Sequence, residues 1–497
     1  MSFRLKPLIV ALFASQLSAC AVGPDYIRPQ APVATEFKEV KGWKTAQPRD
    51  TALSGQWWEI FNDPKLNELE QQVASNQSLI QAEAQYRQAQ GLVQSAQSSL
   101  LPVFNLNGSF NNFKSAQGQN SIIPGVRTLF NNSVAMAWEP DLWGTVRRQI
   151  EANTGNAQAS AATLQALRLS IQSNLAVAYF QLKVLDAQKT LLDETVAAYQ
   201  KTLDITKNRY AVGVVAKTDV VQADTQLQSA KAQAINLGVQ RAKLEHAIAV
   251  LIGKSPAELS LAASALTTQA PAIPVSLPSE LLERRPDIAA AERKVAAANA
   301  QIGIAKAAYF PTLNLAMSNG FQSTDVGDLF TVARRYWAFG PAAAALTVFD
   351  GGVKNAQYNQ AIAGFDASVA AYRQAVLTGF QEVEDNLAAL RILEEQAKVQ
   401  DQAVASANQA LALTNNQYQA GTVSYLNVMT AQTAALSNRQ TAVQLQGDRL
   451  NAAVLLVKAM GGGWNETLLP TEEQAAGDRK WTDYLILPVD TIGEWVD

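Results

Sequence analysis

The sequence predicts a mostly helical chain with a membrane β component, built from two tandem copies of one unit. Three observations carry that prediction. Segments recur at a long, nearly fixed offset; two proline-free stretches hold sustained heptads; and four short segments alternate apolar with polar residues.

The repeat is legible residue by residue. Pro102-Val103-Phe104-Asn105-Leu106 returns 209 positions on as Pro311-Thr312-Leu313-Asn314-Leu315, and Glu83 and Asp141 meet Glu292 and Asp350 at that offset. Later the offset is 208: Tyr210-x-x-Gly213 returns as Tyr418-x-x-Gly421, and Leu251-Ile252-Gly253 as Ala459-Met460-Gly461. A period this long means duplication of a whole module rather than a solenoid. The copies span 62–260 and 280–468. Between them a linker, 261–279, holds Pro271, Pro274 and Pro278 and reads as extended chain. An N-terminal segment, 20–61, and a tail, 469–497, lie outside the copies.

Each copy opens with a helix. Asp63 can cap the first, with Pro64 at its first position, and the pattern runs to about Leu100. The second opens at Pro286. Two strands follow in each. In "LPVFNLNGSF", Phe104, Leu106 and Phe110 share one face, with Asn105, Asn107 and Ser109 on the other. In "NNSVAMAWEPDLW", Val134, Met136 and Trp138 oppose Ser133, Ala135, Ala137 and Glu139. "FPTLNLAMSNGF" and "YWAFGPAAAALTVFD" are their counterparts. About ten alternating residues suit a tilted strand across a bilayer, although a soluble hairpin has the same period.

A long helix comes next. No proline occurs between Pro140 and Pro256 or between Pro341 and Pro470. Leu164, Leu167, Ile171, Leu175, Ala178, Leu182, Leu185, Leu192, Val196, Tyr199, Leu203, Thr206 and Tyr210 follow a heptad broken only at Lys189. The second copy repeats it from Val383 to Tyr418. A helix from about Gly144 to Tyr210 extends roughly 100 Å. It reverses at Gly213, and a return helix stops at Gly253. Four strands cannot close a barrel, and open edges are not tolerated in lipid, so the chain must oligomerise. Two, three or four copies would satisfy this requirement.

The N-terminus reads as an address. Arg4 and Lys6 precede the apolar run Leu8–Leu17, which is too short to span a bilayer. Residues 1–19 read as a signal peptide, cleaved within the lipobox Leu17-Ser18-Ala19-Cys20 just before Cys20. Lipid on Cys20 would give lasting attachment. Ala21, in place of Asp, directs the protein to the outer membrane. Charged residues are only 17%, and the net charge is -3 with no basic block, which argues against a nucleic-acid partner. With one Cys and one His, His/Cys catalysis and metal sites are nearly excluded. No cofactor is expected beyond the lipid, and no enzyme activity. His246 reads as a core or lumen residue.

Several motifs occur in order: "CAVGPDYIRP", Trp57-Trp58, "WEPDLWG" at 138–144, "RRPDI" at 284–288, "AYFPTLNL" at 308–315 and "FDGG" at 349–352. With them the chain resembles the outer membrane factor family, OprM/TolC-like exit ducts, in the NodT-type lipoprotein branch. The resemblance implies a homotrimer with a twelve-stranded β-barrel, continued by a long coiled α-helical periplasmic barrel. It also implies an equatorial belt using the linker and tail, where Trp57 and Trp58 serve as anchors. The implied partners are outer-membrane lipid, a periplasmic adaptor and an inner-membrane transporter. The implied role is a passive gated conduit of a multidrug efflux pump; the same architecture serves type I protein secretion. A surface coiled coil would not explain the strand pairs, and a porin would not need the helices.

By resemblance, function sits at the hairpin tips. Arg209, Tyr210, Gly213, Asp219, Tyr418 and Gly421 are the tip and adaptor-contact residues. Tyr425, Leu426, Asn427 and Thr430 match the gate. Arg209 and Asp219 can bond across their own turn or to an adaptor. Thr430 stands where related channels carry an acid, which leaves Leu426 to narrow the pore with weak cation selectivity. Asp219, Asp224, Glu139 and Asp141 are the carboxylates that remain to bias it.

Overall fold

The computed structural model describes residues 21–33, 36–40, 56–114, 126–271, 273 and 281–478. The signal peptide, Cys20, part of the linker and the end of the tail lie outside the described residues. The first helical region is two helices rather than one. α1 (Pro64–Gln71) is capped by Asp63, which accepts from the Lys65 and Leu66 amides. α2 (Gln77–Ser98) starts afresh because Asn76 caps it through the Ser78 and Leu79 amides.

Then come β1 (Val103–Lys114) and β2 (Val126–Trp138), α3 (Thr145–Ala211) and α4 (Lys217–Leu251). The second copy repeats this as α5 (Pro286–Ala307), β3 (Thr312–Ser323), β4 (Arg335–Ala345), α6 (Val353–Gln419) and α7 (Tyr425–Ala459). A last short helix, α8, is Glu472–Ala476. Lengths match across the copies: 22 residues in α2 and α5, 67 in α3 and α6, 35 in α4 and α7. At 1.5 Å per residue the long helices reach about 100 Å.

The strands form one antiparallel sheet in the order β1-β2-β3-β4. They are displaced from the sequence reading. β1 continues past Phe110 to Lys114, and β2 ends at Trp138 because Pro140 follows and Asp141 begins the helix cap. β4 ends at Ala345, short of the segment's Asp350. The register places Phe104 opposite Met136, Leu106 opposite Val134, Phe110 opposite Phe130 and Met317 opposite Phe339. These apolar side chains share one face, while Asn105, Asn107, Ser133, Ser318 and Gln322 share the other. Leu106 is 78% and Trp337 74% exposed in the single chain. Such an apolar face, on a sheet whose two outer strands each pair on one side only, is a surface awaiting partners.

The heptad reading holds in the core. Ile171, Leu175, Leu182, Leu192, Tyr199 and Leu203 are buried on α3, whereas Tyr210 is 46% exposed. Trp57 and Trp58 are buried with Phe61 and Phe180 midway along the helices. Full burial of each such side chain stabilises by roughly 1.5–3 kcal/mol. His246 is exposed on α4 rather than in the core, since the apolar stripe runs through Ala234 and Ile248.

The short helices stack end to end. The Asn76 amide donates to the Leu251 carbonyl at 2.9 Å, joining the end of α4 to the start of α2. Arg285 does the same in the second copy, donating to the Ala459 carbonyl of α7 at 2.9 Å. Gly253 and Gly461, both at positive φ, let the chains pass against the Ser75 and Arg284 carbonyls. Each copy thus presents one long helix beside a jointed one.

Candidate functional site: hairpin tips and the strand–helix junction

The tips are built by two tight reversals. Gly213 and Gly421 take φ of 77° and 78°, and the Val214 and Thr422 amides close onto Arg209 and Gln417 carbonyls. Below them a small core gathers Tyr199, Leu203, Ala223, Leu227, Tyr418, Tyr425 and Val428 from both hairpins. Tyr418 and Tyr425 meet edge to face at 6.0 Å.

Arg209 does not bond across its own turn to Asp219. It reaches the other hairpin, donating to the Tyr418 carbonyl and stacking 4.7 Å from that ring's centre. The planar guanidinium can do both at once, on a ring that is buried. Thr206 and Tyr418 share a hydroxyl hydrogen bond of 3.1 Å, and the Gln432 amide donates to Thr202 at 3.3 Å. The hairpins are therefore cross-linked within one chain. Burial first, then the nearby Tyr199, Tyr418 and Asp219, pushes the Tyr425 phenol up to about 12. It stays neutral at any physiological pH.

Leu426, Asn427 and Thr430 lie together on an exposed face of α7, with Leu426 52% exposed. Thr430 turns its hydroxyl back to the Leu426 carbonyl at 3.0 Å. Asp219 is half-buried in the first turn of α4, and Tyr210 is exposed. So Tyr418 and Tyr425 are packing residues of the tip, while Leu426, Asn427 and Thr430 are available to face another surface. The Arg209–Tyr418 clamp was missed because its partners lie 209 residues apart; only the shared Tyr-x-x-Gly repeat pointed there.

The junction of sheet and helices uses the motif residues. Asp141 accepts from the Val146 and Arg147 amides at 3.0 Å and pairs with the Arg147 guanidinium. Asp350 accepts from the Gly352 and Lys354 amides, which hold its carboxyl below the usual range. Both start a long helix after a glycine at positive φ, Gly144 or Gly352. Trp143 stacks on Phe310 at 4.8 Å and donates to the Pro311 carbonyl.

The segment from Ala21 to Val33 straps onto this junction. The Val22 amide donates to the Trp143 carbonyl at 3.0 Å, and Ala21 packs against Gly144. Buried Arg148 reaches Asp25 at 2.8 Å as well as Glu151. Farther down, Asn299 donates to the Pro24 carbonyl, and Tyr26 donates to Glu292. Burial and then Glu292 push the Tyr26 phenol far up, so it remains a donor. Among the described residues no cluster suits a metal ion, and no helix is long and apolar enough to cross a membrane.

The profile of the outer membrane efflux protein family matches residues 69–254 and again 277–462. The chain belongs to this family. It is 31% identical to the antibiotic efflux pump outer membrane protein ArpC of Pseudomonas putida, over 94% of this chain and 98% of that protein. It is equally similar, 31% over 94% of this chain and 98% of the relative, to the toluene efflux pump outer membrane protein TtgC, also of Pseudomonas putida. The solved structure of the outer-membrane channel OprN superposes with a TM-score of 0.84 at 29% identity, covering 90% of this chain and all of that one. The double match to one profile is the tandem repeat seen from outside.

Proposed function

We propose that the chain is the outer-membrane exit channel of a tripartite efflux pump, a passive gated duct for drugs and other small amphiphiles. One observation carries the reading. A four-stranded sheet with an apolar outer face and unpaired edges continues directly into helices about 100 Å long. A sheet of that kind closes only by assembly, and three copies supply twelve strands, within the range of membrane barrels. Homotrimerisation, a periplasmic adaptor and an inner-membrane transporter follow from the family, whose relatives carry antibiotic and toluene efflux in their names.

The lipid anchor is part of the proposal. Ala21, which follows Cys20, rests at the strand–helix junction beside Trp143, where a bilayer edge would lie. A diacylglyceryl group on Cys20 would enter the membrane from there. At the other end Leu426, Asn427 and Thr430 narrow the duct, and the Arg209–Tyr418 clamp holds the second hairpin to the first. The adaptor meets the exposed tip around Tyr210, Gly213, Asp219 and Gly421.

The test is a deletion strain exposed to unrelated antibiotics and dyes. Sensitisation restored by the wild-type gene supports efflux. Unchanged susceptibility with loss of a secreted polypeptide would replace it with the duct of a type I secretion system. Complementation by Cys20→Ser behind a non-lipid signal asks whether the barrel anchors the protein without lipid.

A further inference from the structure

The four strands contain charged residues at three positions only, Lys114, Arg127 and Arg335, and all three are cations. All lie at the end of the sheet remote from the helices. Lys114 closes β1 and faces Val126; Arg127 faces Phe113; Arg335 opens β4 and faces Phe321. Arg334 stands immediately before β4. The sequence between β1 and β2, residues 115–125, contains no charged residue. The β3–β4 connection carries two exposed acids, Asp325 and Asp328, and Asp325 accepts the Gly327 amide. The helical end carries both signs, with Asp141 paired to Arg147.

Parity along the strands sets direction. Lys114 is on the face of Phe110, and Arg335 on that of Trp337 and Phe339, so both belong to the apolar face. Arg127 belongs to the polar one. Lys114, Arg334 and Arg335 are exposed, and none forms an ion pair among the described residues. Reading outward along the apolar face gives Phe104 and Trp138 at the helical end, then Leu106, Val134, Met136, Met317 and Phe339, then the rings of Phe110, Phe130, Phe321 and Trp337, then cations. Aromatic rings followed by basic groups are the order of a membrane interface, with the cation at headgroup depth. The helices leave the sheet on the periplasmic side, so these cations lie in the outer leaflet.

We propose that Lys114, Arg334 and Arg335 form a basic collar that binds the phosphates of the outer leaflet's phosphorylated glycolipid, lipid A. The arginine forks grip phosphate oxygens two at a time, and Lys114 adds a point charge. Acyl chains of the same lipid lie along the Phe110–Trp337 face beneath. The assignment rests on the outer-membrane reading and is independent of what is exported.

The experiment uses the full-length protein purified in detergent, with bound lipid counted by native mass spectrometry. The probes are bis-phosphorylated lipid A, fully dephosphorylated lipid A and phosphatidylglycerol. Wild type holds the phosphorylated form at least about tenfold more tightly than the dephosphorylated one, given the attraction expected of three basic residues. The variant K114Q/R334Q/R335Q loses that preference, and R127Q, on the other face, keeps it. Equal retention of both lipid A forms by wild type overturns the collar, whether or not the triple variant assembles. Phosphatidylglycerol binding as tight as lipid A overturns the glycolipid assignment in favour of plain anionic attraction. Failure of the wild type to form a heat-resistant assembly would instead count against the barrel.

Discussion

Glu83 and Glu292 hold the same place in the two copies, but their surroundings have diverged. Glu83 is exposed on α2, whereas Glu292 is 2% exposed on α5, accepting Tyr26 and pairing with Arg293. The joints differ likewise. Asn76 links α4 to α2 with a neutral amide; Arg285 links α7 to α5 with a buried guanidinium held by Glu382 and Asp287 at 2.7 Å. Duplication has kept the helix lengths, the turn glycines and the Asp141 and Asp350 caps, because these fix backbone geometry. It has let side chains specialise, as at Glu292, which the N-terminal strap reaches through Tyr26. Ion pairs hold both copies, Asp63 with Lys183 in the first and Glu292 with Arg293 in the second, but at different places.

The sharpest break of this comparison is at the joints. Arg285→Ala leaves the half-exposed Glu382 and Asp287 without their cation and the Ala459 carbonyl without its donor, and should lower unfolding free energy by about 2–3 kcal/mol. Asn76→Ala loses a cap and a bridging bond, about 1–2 kcal/mol. Denaturant midpoints of the purified protein in detergent decide it, and equal losses would mean the joints are equivalent after all. The repeat-related glutamates come next. Glu292→Ala removes the strap's acceptor and orphans Tyr26, at about 1–3 kcal/mol, while Glu83→Ala should stay within about 0.5 kcal/mol. Protease cleavage within 21–33 should accelerate in the first variant only.

Titration sharpens the comparison from the first copy's side. Burial raises the Asp63 carboxyl, but Lys183, Tyr179 and the Leu66 amide outweigh it and leave it below its ordinary value. Its stabilisation is therefore present above the unfolded value and is lost as pH falls through the lower folded one. Glu70 moves the other way, raised by burial to about 9 with neither oxygen hydrogen-bonded among the described residues. Its contribution is present below the unfolded value near 4.5 and fades as pH rises toward 9. Glu70→Gln should flatten the alkaline loss without touching the acidic one, which Asp63→Asn should flatten. Stability measured across pH 3 to about 9 separates the two.

Much of this fold was legible because it rests on period. Heptads through Leu175 and Leu203 and the alternation at Phe104–Phe110 follow from which face is covered, a local property of sequence. Helix starts at Asp63, Asp141 and Asp350 were partly visible through proline and glycine punctuation. Asn76 was not, since a cap inside an unbroken helical pattern looks like an ordinary polar residue until another helix end abuts it. "RRPDI" was visible as a motif, yet the burial of Arg285 depends on α6 and α7, far away in the chain. At the tips the turns were legible and the partners were not. Arg209 and Asp219 are near in sequence, but Tyr418 offers a ring and a carbonyl together.

The most direct test of the gated duct is single-channel conductance in planar bilayers of wild type, Arg209→Ala and Leu426→Ala. If the second hairpin closes the pore and the Arg209–Tyr418 clamp holds it, wild type conducts weakly and both variants conduct several-fold more. Conductance unchanged in both would contradict a gate at this tip.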